Sequence, residues 1–422
     1  MNILLIGSGG REHALATAIA KSPLCKKLYI APGNPGTAAL GTNIDIDLSD
    51  FELLKKTSLE KQINMVVCGP EAPLAKGMAD AFAQDEKTEK IKFIGPGKIG
   101  AKLESSKDFA KNFMQKYNIP TARYQSFKKH QLTEAQNFLN QMHPPYVIKA
   151  DGLAAGKGVV ITSNIEEAKS ELKAMFDGKF GEAGTTIVIE EFLKGIEVSV
   201  FVITDGKEYI LLPEAKDYKR IGENDTGLNT GGMGAISPVS FADDAFMNKV
   251  KKEIIEPTLL GLQQEKINYT GFIFFGLIKV DQQPYVIEYN VRMGDPETEV
   301  VLPRIKSDFV ELLQSAADNT LSSYKIKISE KTAAAVILVS AGYPENYPKG
   351  EEIQLPTPPD ECFILQMGTK QTQNKLITAG GRVLAVGAFG KDTHEALEKA
   401  YENVNKVNFK SKYYRKDIGF DL

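Results

Sequence analysis

Residues 1–13 read MNILLIGSGGREH, and this stretch decides the class of fold. The apolar run Ile3–Ile6 is too short for a signal peptide, and no basic segment precedes it, so it predicts a buried strand. A glycine-rich turn follows the run and leads directly into a helical pattern, which is typical of a βα unit. We therefore expect the chain to begin with the first strand of a parallel sheet.

The same pattern repeats up to about residue 103. Apolar runs at Leu28–Ile30, Met65–Cys68 and Phe93–Ile94 alternate with helical stretches, and turn residues follow each run. This alternation predicts an α/β fold with a doubly wound parallel sheet. Because the turns lie at the carboxyl edge of such a sheet, where ligands bind, we expect a binding site there.

Composition narrows the function before any motif is considered. Lys and Arg number 51 against 54 Asp and Glu, so the net charge of −3 favours neither nucleic acid nor an anionic membrane as a partner. No apolar stretch approaches the ~20 residues of a membrane span. The cysteines Cys25, Cys68 and Cys362 form no disulfide or zinc pattern, and we expect a protein of the reducing cytoplasm.

Two further regions follow the first. Strands predicted at Tyr146–Lys149 and Val159–Thr162 flank the turn DGLAAGKG, and a polar, glycine-rich stretch at 216–238 shows no periodicity. A loop of that length inside a compact domain is usually functional. A new α/β pattern starts beyond Lys325. We expect an N-terminal substrate domain at 1–103, a central domain at 104–325 with a lid at about 120–192, and a small C-terminal α/β domain at 326–422.

The first turn fails the test for a dinucleotide fingerprint. The motif G-x-G-x-x-G would need glycine at position 12, where this chain has Glu12, and the second strand ends without an acid for the ribose. An anion site remains, formed by Gly9 and Gly10 at a helix N-terminus with Arg11 beside them. The alternative is a tight glycine turn that binds nothing.

The turn at 152–158 fails the test for a P-loop, because it is one residue short, ends in glycine and precedes a strand. Its small residues and Lys157 would nevertheless suit a flap over phosphates, since small side chains let backbone amides approach an anion. An ordinary turn with an exposed lysine explains Lys157 alone, but it does not explain the second lysine, Lys149, on the preceding strand.

A carboxylate cluster ends the strand predicted at 285–290. Glu288, Asn290 and Arg292 share one face of an extended chain, and two neighbouring oxygen ligands suit Mg²⁺. The arginine would hold a carboxylate or a phosphate by a bidentate pair. A solvated sheet face is the alternative, but the acidic turn from Gly294 through Asp295 at the same edge argues against it.

These pieces together resemble the phosphoribosylamine–glycine ligases, also called glycinamide ribonucleotide synthetases, of the ATP-grasp superfamily. The resemblance runs from GSGGREHAL at 7–15 to RKDIG at 415–419. Between them stand APGNPGT at 31–37, GPEAPL at 69–74, KADGLAAGKGV at 149–159, EEFLKGIE at 190–197, NTGGMGA at 229–235, EYNVRMGDPETE at 288–299 and GGRVL at 380–384. Many ordered motifs over the whole chain are far more specific than one glycine loop.

The resemblance implies an ATP-grasp core with a mobile lid and a reaction of early purine synthesis. In this family ATP phosphorylates the carboxylate of glycine, and the nitrogen of 5-phospho-D-ribosylamine attacks the glycyl phosphate. The products are glycinamide ribonucleotide, ADP and phosphate. ATP and Mg²⁺ or Mn²⁺ are therefore the expected cofactors, glycine and phosphoribosylamine the expected partners, and a cytoplasmic monomer the expected form.

The resemblance also implies roles for individual residues. The ATP phosphates are expected at Lys107, Lys149 and Lys157, the adenine along Glu190, Glu191, Phe192 and Leu193, and the nucleotide sugar at Glu197. The metal ligands are expected to be Glu288 and Asn290. The phosphoribosyl substrate is expected at Gly9, Gly10, Arg11, Asn34 and Glu71, and the glycine carboxylate at Arg292 beside Gly294 and Asp295. The catalytic residues are expected to be Lys157, Arg292, Asp217 and Lys219, the last two in the 216–238 loop with Arg220.

The chain departs from the family pattern in two of these motifs. Lys216 and Tyr218 flank Asp217 where family members often have Gln or Glu before it and His after it. Val291, Met293 and Glu299 stand where family members often have Cys, Phe and Gln. Val291 and Met293 alternate away from the proposed site face and are expected to be packing residues. The main alternative function is another purine ribonucleotide ligase, one that uses formate or bicarbonate. A nucleotide-binding module without enzyme activity is a third possibility, but it would not need the paired Glu288 and Asn290 beside Arg292.

Overall fold

A computed structural model describes residues 1–153 and 158–422. The N-terminal elements are, in chain order, β1 (Asn2–Gly7), α1 (Gly10–Ala20), β2 (Lys27–Pro32), β3 (Thr42–Asn43), α2 (Phe51–Glu60), β4 (Met65–Cys68), α3 (Glu71–Ala75), α4 (Met78–Ala83), β5 (Lys92–Ile94), α5 (Lys102–Ser105) and α6 (Lys107–Lys116). The strands predicted from the apolar runs are confirmed. The side chain of Ser106 caps α6 by accepting from the amide of Phe109.

The N-terminal strands form one parallel sheet in the order β3-β2-β1-β4-β5. The chain first adds β2 and β3 on one side of β1, and it then adds β4 and β5 on the other side. The direction of winding therefore changes between β1 and β4, which is the switch point of the sheet. Ligands of doubly wound sheets bind in the crevice at this point, outside the carboxyl ends of the strands. The turn after β1 and the GPE segment after β4 meet there.

The next segment folds as a separate antiparallel sheet. Its elements are β6 (Tyr124–Lys128), α7 (Leu132–Asn140), β7 (Tyr146–Ala150), β8 (Val159–Thr162), α8 (Ile165–Ala174) and β9 (Thr186–Glu191), and the strand order is β6-β9-β7-β8. Phe127, Ile148 and Leu172 belong to an apolar cluster of its own. Lys157 and the middle of the predicted flap lie outside the described residues.

The central part follows without a break. Its elements are β10 (Ile196–Thr204), β11 (Tyr209–Leu211), β12 (Lys216–Asp217), β13 (Arg220–Gly222), β14 (Thr226–Asn229), β15 (Gly234–Ser237), α9 (Asp244–Val250), α10 (Glu256–Gln264), β16 (Gly271–Val280), β17 (Gln283–Asn290), α11 (Thr298–Val301) and α12 (Phe309–Ala317). A π-helical turn at Lys251–Ile255 joins α9 and α10 into one continuous helical segment. β11, β10, β16 and β17 form an antiparallel sheet in that order.

The last elements are β18 (Thr332–Ser340), β19 (Cys362–Gln366), β20 (Thr369–Thr372), β21 (Lys375–Thr378), β22 (Arg382–Gly390), α13 (Thr393–Lys406) and β23 (Lys412–Tyr413). Their main sheet has the order β12-β15-β18-β22-β19, with β23 also paired to β18. Two strands from the central part therefore lie in the sheet of the C-terminal part.

The 216–238 stretch differs from the sequence expectation. It was expected to be an irregular loop, but it contains β12 to β15. Each of these strands has only two to four residues, which is too short for an alternating pattern to show in the sequence. Among the described residues, none of the helices has the length and apolar character that crossing a membrane would require.

Candidate active site

The predicted anion site in the first turn is occupied by a side chain of the protein itself. Glu12 Oε2 accepts from the amide of Gly9 at 2.6 Å, and Glu12 Oε1 accepts from Arg11 Nε at 2.7 Å. A Cβ atom on Gly7 or Gly69 would lie 2.4 or 2.1 Å from Glu12, so these glycines make room for a carboxylate. The residue that breaks the dinucleotide fingerprint thus fills the place of the anion.

Asn34 holds this turn to the C-terminal part. Its Nδ2 donates to the carbonyl oxygens of Ser8 at 2.8 Å and Gln366 at 2.9 Å, while its Oδ1 accepts from the amide of Gly36 at 2.8 Å. His13 on α1 accepts the amide of Gln366 through Nδ1 at 2.8 Å. Burial lowers the pKa of His13 to about 4, so this imidazole is neutral at pH 7.

Arg292 lies between two carboxylates. Its Nε donates to Glu71 Oε2 at 3.3 Å and its Nη2 to Glu104 Oε1 at 2.6 Å. Burial raises the pKa of Glu104 to about 7, against the opposing effect of Arg292. Burial also acts to raise the pKa of Glu71, but Arg292 and Arg11 together lower it. The structure therefore brings together the predicted residues Arg11, Glu71 and Arg292, and it adds Glu104, which sequence reasoning missed.

The acidic turn after Arg292 is held by an arginine from β22. Arg382 Nη1 donates to the Asp295 carbonyl oxygen at 2.9 Å and forms an ion pair with Asp295 Oδ1, also at 2.9 Å. A Cβ atom on Gly9 would lie 3.4 Å from Asp295 Oδ2, so Asp295 lies against the first turn. Gly294 is buried, and a Cβ atom there would meet Glu297. Asp295 and Gly294 thus stand beside the N-terminal site, as expected from the motif.

A second cluster lies at the foot of the lid. Glu190 is buried between two lysines, with Lys111 Nζ 2.9 Å from Oε2 and Lys149 Nζ 3.0 Å from Oε1. Burial acts to raise the pKa of Glu190, but the two lysines lower it, and the desolvated Lys111 has a pKa lowered to about 8. Sequence reasoning missed Lys111, although it lies one helical turn after Lys107 and on the same face of α6.

Lys107 and Asp151 join α6 to the root of the predicted flap. Asp151 Oδ1 accepts from the amide of Lys107 at 2.5 Å, and Lys107 Nζ donates to the carbonyl oxygen of Gly152 at 3.0 Å. Burial lowers the pKa of Lys107, while Glu288 opposes the shift. A carboxylate at the N-terminus of a helix interacts favourably with its exposed amides.

The expected adenine segment follows β9. Glu191 ends the strand, where its amide donates to the Arg123 carbonyl oxygen at 2.9 Å and its Oε1 accepts the Arg123 amide at 2.9 Å. Phe192 is exposed and Leu193 is half-buried. Neither of these two residues uses its backbone amide in a hydrogen bond with the part of the chain that the structure describes.

The expected metal ligands lie at the end of β17. A bulge shifts the register so that Gly276 pairs with Glu288 but Leu277 with Val286. The buried Tyr289 and Val291 pack in one core cluster, which leaves Glu288 and Asn290 on the opposite face. Within the described ranges neither side chain makes a hydrogen bond, and no three His, Cys, Asp or Glu residues cluster as a metal site. Two free oxygen donors therefore fit a divalent cation that completes its shell with substrate and water.

Asp217 and Lys219 belong to the same site. Lys219 Nζ is 2.5 Å from Glu197 Oε2 and 4.0 Å from Asp217 Oδ1. Burial raises the pKa of Asp217 although Lys219 opposes the shift. Burial lowers the pKa of Lys219, but the carboxylates of Asp217, Glu197 and Glu288 outweigh it and raise that pKa. The pair therefore lies beside both the expected sugar contact and the expected metal ligand.

Three departures from the family pattern, Tyr218, Val291 and Met293, are packing positions. Tyr218 directly follows β12 and is buried, and its hydroxyl donates to Asp421 Oδ1 at 2.8 Å. Val291 and Met293 are also buried, each in an apolar cluster. Arg220 points away as well, because its Nη1 donates to the carbonyl oxygen of Gly227 at 2.8 Å.

Comparison with known proteins agrees with this arrangement. A lid sheet and a second antiparallel sheet with lysines and carboxylates between them define an ATP-grasp protein, and the ATP-grasp (A) domain of phosphoribosylglycinamide synthetase matches residues 105–298. The N domain of the same family matches 1–104 and its C domain 333–421. The chain belongs to the phosphoribosylglycinamide synthetase family, and the resemblance found in the sequence is confirmed.

Individual relatives span the whole chain. A Haemophilus influenzae protein named phosphoribosylamine–glycine ligase is 44% identical over 428 residues, which is 100% of this chain and 98% of its own length. A Clostridium acetobutylicum protein of the same name is 45% identical, with 99% of each chain covered. The crystal structure of the Thermotoga maritima phosphoribosylamine–glycine ligase superposes with a TM-score of 0.85 at 36% identity, covering 99% of this chain and 100% of that one.

A more distant structure shares the fold alone. The biotin carboxylase domain of the Hydrogenobacter thermophilus 2-oxoglutarate carboxylase, solved with MgADP and bicarbonate, has a TM-score of 0.72 at 16% identity. It covers 98% of this chain and 91% of its own. The class of fold predicted from the sequence is thus confirmed by both near and distant structures.

Proposed function

We propose that this protein joins glycine to 5-phospho-D-ribosylamine at the expense of ATP, giving glycinamide ribonucleotide, ADP and phosphate. The single observation that carries the proposal is the continuous row from Glu288 through Asn290 to Arg292, which ends against Arg11 and Glu71 of the N-terminal part. Such a row would bring a metal-bound phosphate, a carboxylate substrate and a phosphoribosyl substrate into line. The relatives over the whole chain carry the name of this reaction, which favours it over a formate- or bicarbonate-using ligase.

The chemistry proceeds in two transfers. The carboxylate oxygen of glycine attacks the γ-phosphorus of ATP and ADP leaves, which gives glycyl phosphate. The ribosylamine nitrogen then attacks the acyl carbon, inorganic phosphate leaves, and the nitrogen loses a proton as the amide forms. No covalent enzyme nucleophile is needed, so the protein acts by alignment and charge neutralisation.

Cations of the central part would neutralise the nucleotide. Lys149 and Lys111 beside Glu190 support a phosphate subsite at the foot of the lid, with Lys107 beside it. Lys157 is proposed for the same subsite from its motif alone. Glu197 would accept hydrogen bonds from the sugar hydroxyls, and the unused backbone amides of Phe192 and Leu193 after β9 would pair with the adenine.

The metal subsite belongs to Glu288 and Asn290. A bound Mg²⁺ would neutralise the transferring phosphoryl group, and the free oxygen donors of both side chains support this placement. Either Mg²⁺ or Mn²⁺ would suit carboxylate and amide oxygens with completing water. Asp217 and Lys219 would close over this subsite from β12.

Arg292 would hold the glycine carboxylate, with Gly294 and Asp295 lining the adjacent turn. Arg11, Glu71, Asn34 and Gly10 would surround the phosphoribosyl substrate. The amide of Gly9 serves Glu12, so Gly9 contributes by allowing close approach rather than by donating. We further propose domains at 1–103, 104–325 and 326–422, a lid at about 120–192, and a cytoplasmic monomer.

A glycine-dependent phosphate assay tests the function. The protein is incubated with ATP, Mg²⁺, glycine and freshly prepared phosphoribosylamine, and phosphate and glycinamide ribonucleotide are measured together. We expect one phosphate for each amide formed. Formate or bicarbonate replacing glycine at an equal rate would assign the protein to the alternative ligase, and glycine giving no phosphate would refute the proposal. Glycine without phosphoribosylamine serves as the control for idle ATP hydrolysis.

A further inference from the structure

We infer that Asp421 is a positioning residue for the Asp217–Lys219 pair, acting through the opposite face of β12. This inference rests on the proposed function, because it assigns a role in catalysis to a residue that lies outside the site. The observation behind it concerns residues 216–219, which run through β12 and just beyond it. Residues 217 and 219 contact the site, whereas residues 216 and 218 contact the segment 415–421. Side chains one residue apart on an extended chain point to opposite faces.

One face of this strand looks toward the site. Lys219 Nζ is 2.5 Å from Glu197 Oε2, and Glu288 and Asp217 are the other carboxylates that act on it. Asp217 is nearly buried there. These contacts fix the pair against the sheet that holds the expected metal ligands.

The other face is held by residues 415–421. Tyr218 is 1% exposed and donates through its hydroxyl to Asp421 Oδ1 at 2.8 Å. Lys216 Nζ lies 3.2 Å from Asp421 Oδ2 and 5.2 Å from the centre of the Tyr218 ring. The guanidinium of Arg415 also lies over this ring, 5.4 Å from its centre. One carboxylate therefore binds both residues that alternate with the catalytic pair.

The contacts of Arg415 keep this support rigid. Arg415 is fully buried and pairs with Asp417 at 2.8 Å and with Asp225 at 2.7 Å. Asp225 belongs to the turn between β13 and β14, so the same segment also fixes the chain just beyond Lys219. Residues 415–421 thus hold the chain at 216 and 218 on either side of Asp217, and again at 225 beyond Lys219.

Electrostatics adds a second reason. Lys216 is buried, and a buried ammonium group that loses its carboxylate is strongly unfavourable. The positive charge of Lys216 already acts on Asp217 and Glu197. Without Asp421, Lys216 would turn toward those two carboxylates, and this turn would displace the chain that carries Lys219.

Three variants separate the hydrogen bond between Tyr218 and Asp421 from the ion pair between Lys216 and Asp421. Asp421→Ala removes both the acceptor and the charge, Asp421→Asn keeps an acceptor for Tyr218 but loses the ion pair, and Tyr218→Phe keeps the ring and the ion pair but loses the hydroxyl. Asp360→Ala is the matched control, because Asp360 is exposed in the same part of the chain. A misplacement of about 1 Å in an active site can cost on the order of 100-fold in rate.

The readout is kcat and KM for ATP and glycine, with the folded fraction measured in parallel by unfolding. We expect Asp421→Ala to lower kcat per folded molecule at least about tenfold, the other two variants to fall between it and the wild type, and KM for ATP to stay within about twofold because the adenine segment lies outside β12. Normal kcat in all three variants, or a loss that only follows the folded fraction, would overturn the inference. An inactive wild type would refute the proposed function instead.

Discussion

Arg11 and Arg292 donate to the same backbone oxygen, the carbonyl of Met293. Their Nη1 atoms lie 3.3 and 3.2 Å from it. Arg11 opens the first helix of the parallel sheet, whereas Arg292 follows the last strand of the central sheet. The proposed positions of the phosphoribosyl group and of glycine therefore adjoin at one atom, where the N-terminal part meets the central part, and the attacking nitrogen would lie close to the acyl carbon.

Arg292→Lys tests the glycine subsite. Lysine keeps the charge but loses the planar fork that binds a carboxylate by two hydrogen bonds. We expect KM for glycine to rise about tenfold or more, which is the loss of one charge-assisted hydrogen bond, while KM for ATP changes much less. Steady-state assays with each substrate varied in turn measure both. The control is Arg123→Lys, since the exposed Arg123 stacks on Phe138. A larger change for ATP would move Arg292 to the nucleotide.

Lys111→Met tests the buried triad at the foot of the lid. Glu190 would keep only Lys149, so we expect the free energy of unfolding to fall by about 1–3 kcal/mol and the affinity for ADP to fall with it. Denaturant unfolding and calorimetric titration measure these two effects. Lys116→Met on the same helix is the control, because its pair with Glu265 is exposed and such pairs contribute less than about 1 kcal/mol.

Adding Glu190→Gln to Lys111→Met sharpens this test. The double variant also removes the carboxylate that pairs with the buried Lys149, so we expect a further loss of stability and no recovery of nucleotide affinity. Full affinity in the single variant would place the phosphates elsewhere, and equal effects of the variants at 111 and 116 would show that burial of the triad is unimportant.

Glu288→Gln tests the metal face. The amide keeps the shape of the side chain and one oxygen donor but loses the charge that a divalent cation favours. We expect turnover at ordinary Mg²⁺ to fall by a factor on the order of 100 or more, with partial recovery at high Mg²⁺. A Mg²⁺ titration of the rate measures this. Glu208→Gln, an exposed position before β11, is the control, and an unchanged titration curve at position 288 would show the metal site to be misplaced.

Glu104→Gln tests the pH dependence of stability. The folded protein binds the proton of Glu104 up to a pKa of about 7, against the usual 4.5. Between these values the folded state holds a proton that the unfolded state has lost, so rising pH lowers stability by up to about 1.4 kcal/mol per pH unit. The free energy of unfolding of the wild type, measured relative to that of the variant, should therefore fall from pH 4.5 to 7 and stay constant above pH 7.

Denaturant unfolding of both proteins at several pH values measures this difference. The amide at position 104 can still accept from the Val291 amide, which Glu104 Oε2 accepts at 2.8 Å. Glu60→Gln at an exposed position is the control. Parallel stability curves for the wild type and Glu104→Gln would mean that Glu104 stays ionised beside Arg292 over this whole range.

The parallel sheet was predictable because its strands are continuous apolar runs between glycine turns. The row Glu288, Asn290, Arg292 was also predictable from a local pattern. Side chains of an extended chain alternate between two faces, and this alternation persists beyond the bulge in β17. β12 to β15 were not, because strands of two to four residues carry too little pattern. β15 is decided by pairing with β18, a partner about one hundred residues away, and β12 in turn pairs with β15. A distant partner of that kind leaves no local trace in the sequence.

Side chains that satisfy one another were also beyond sequence reasoning. The glycines of the first turn indicated a ligand, yet Gly7 and Gly69 make room for Glu12. Lys111 was missed because an interior helix lysine usually faces solvent, and only the approach of β9 buries it against Glu190. Tyr218 became interpretable once the direction of its side chain was known. In each case the deciding fact is a contact between residues far apart in the chain.

The place of β15 in the sheet of the C-terminal part has a consequence for biosynthesis. Gly234 pairs with Val336, so this strand leaves the ribosome about one hundred residues before its partner does. At 5–20 residues per second that interval is on the order of 5–20 s, during which the strand offers an unpaired edge to other chains. Translation arrest or truncation between residues 238 and 332 should therefore yield a product that aggregates rather than a folded ATP-binding fragment.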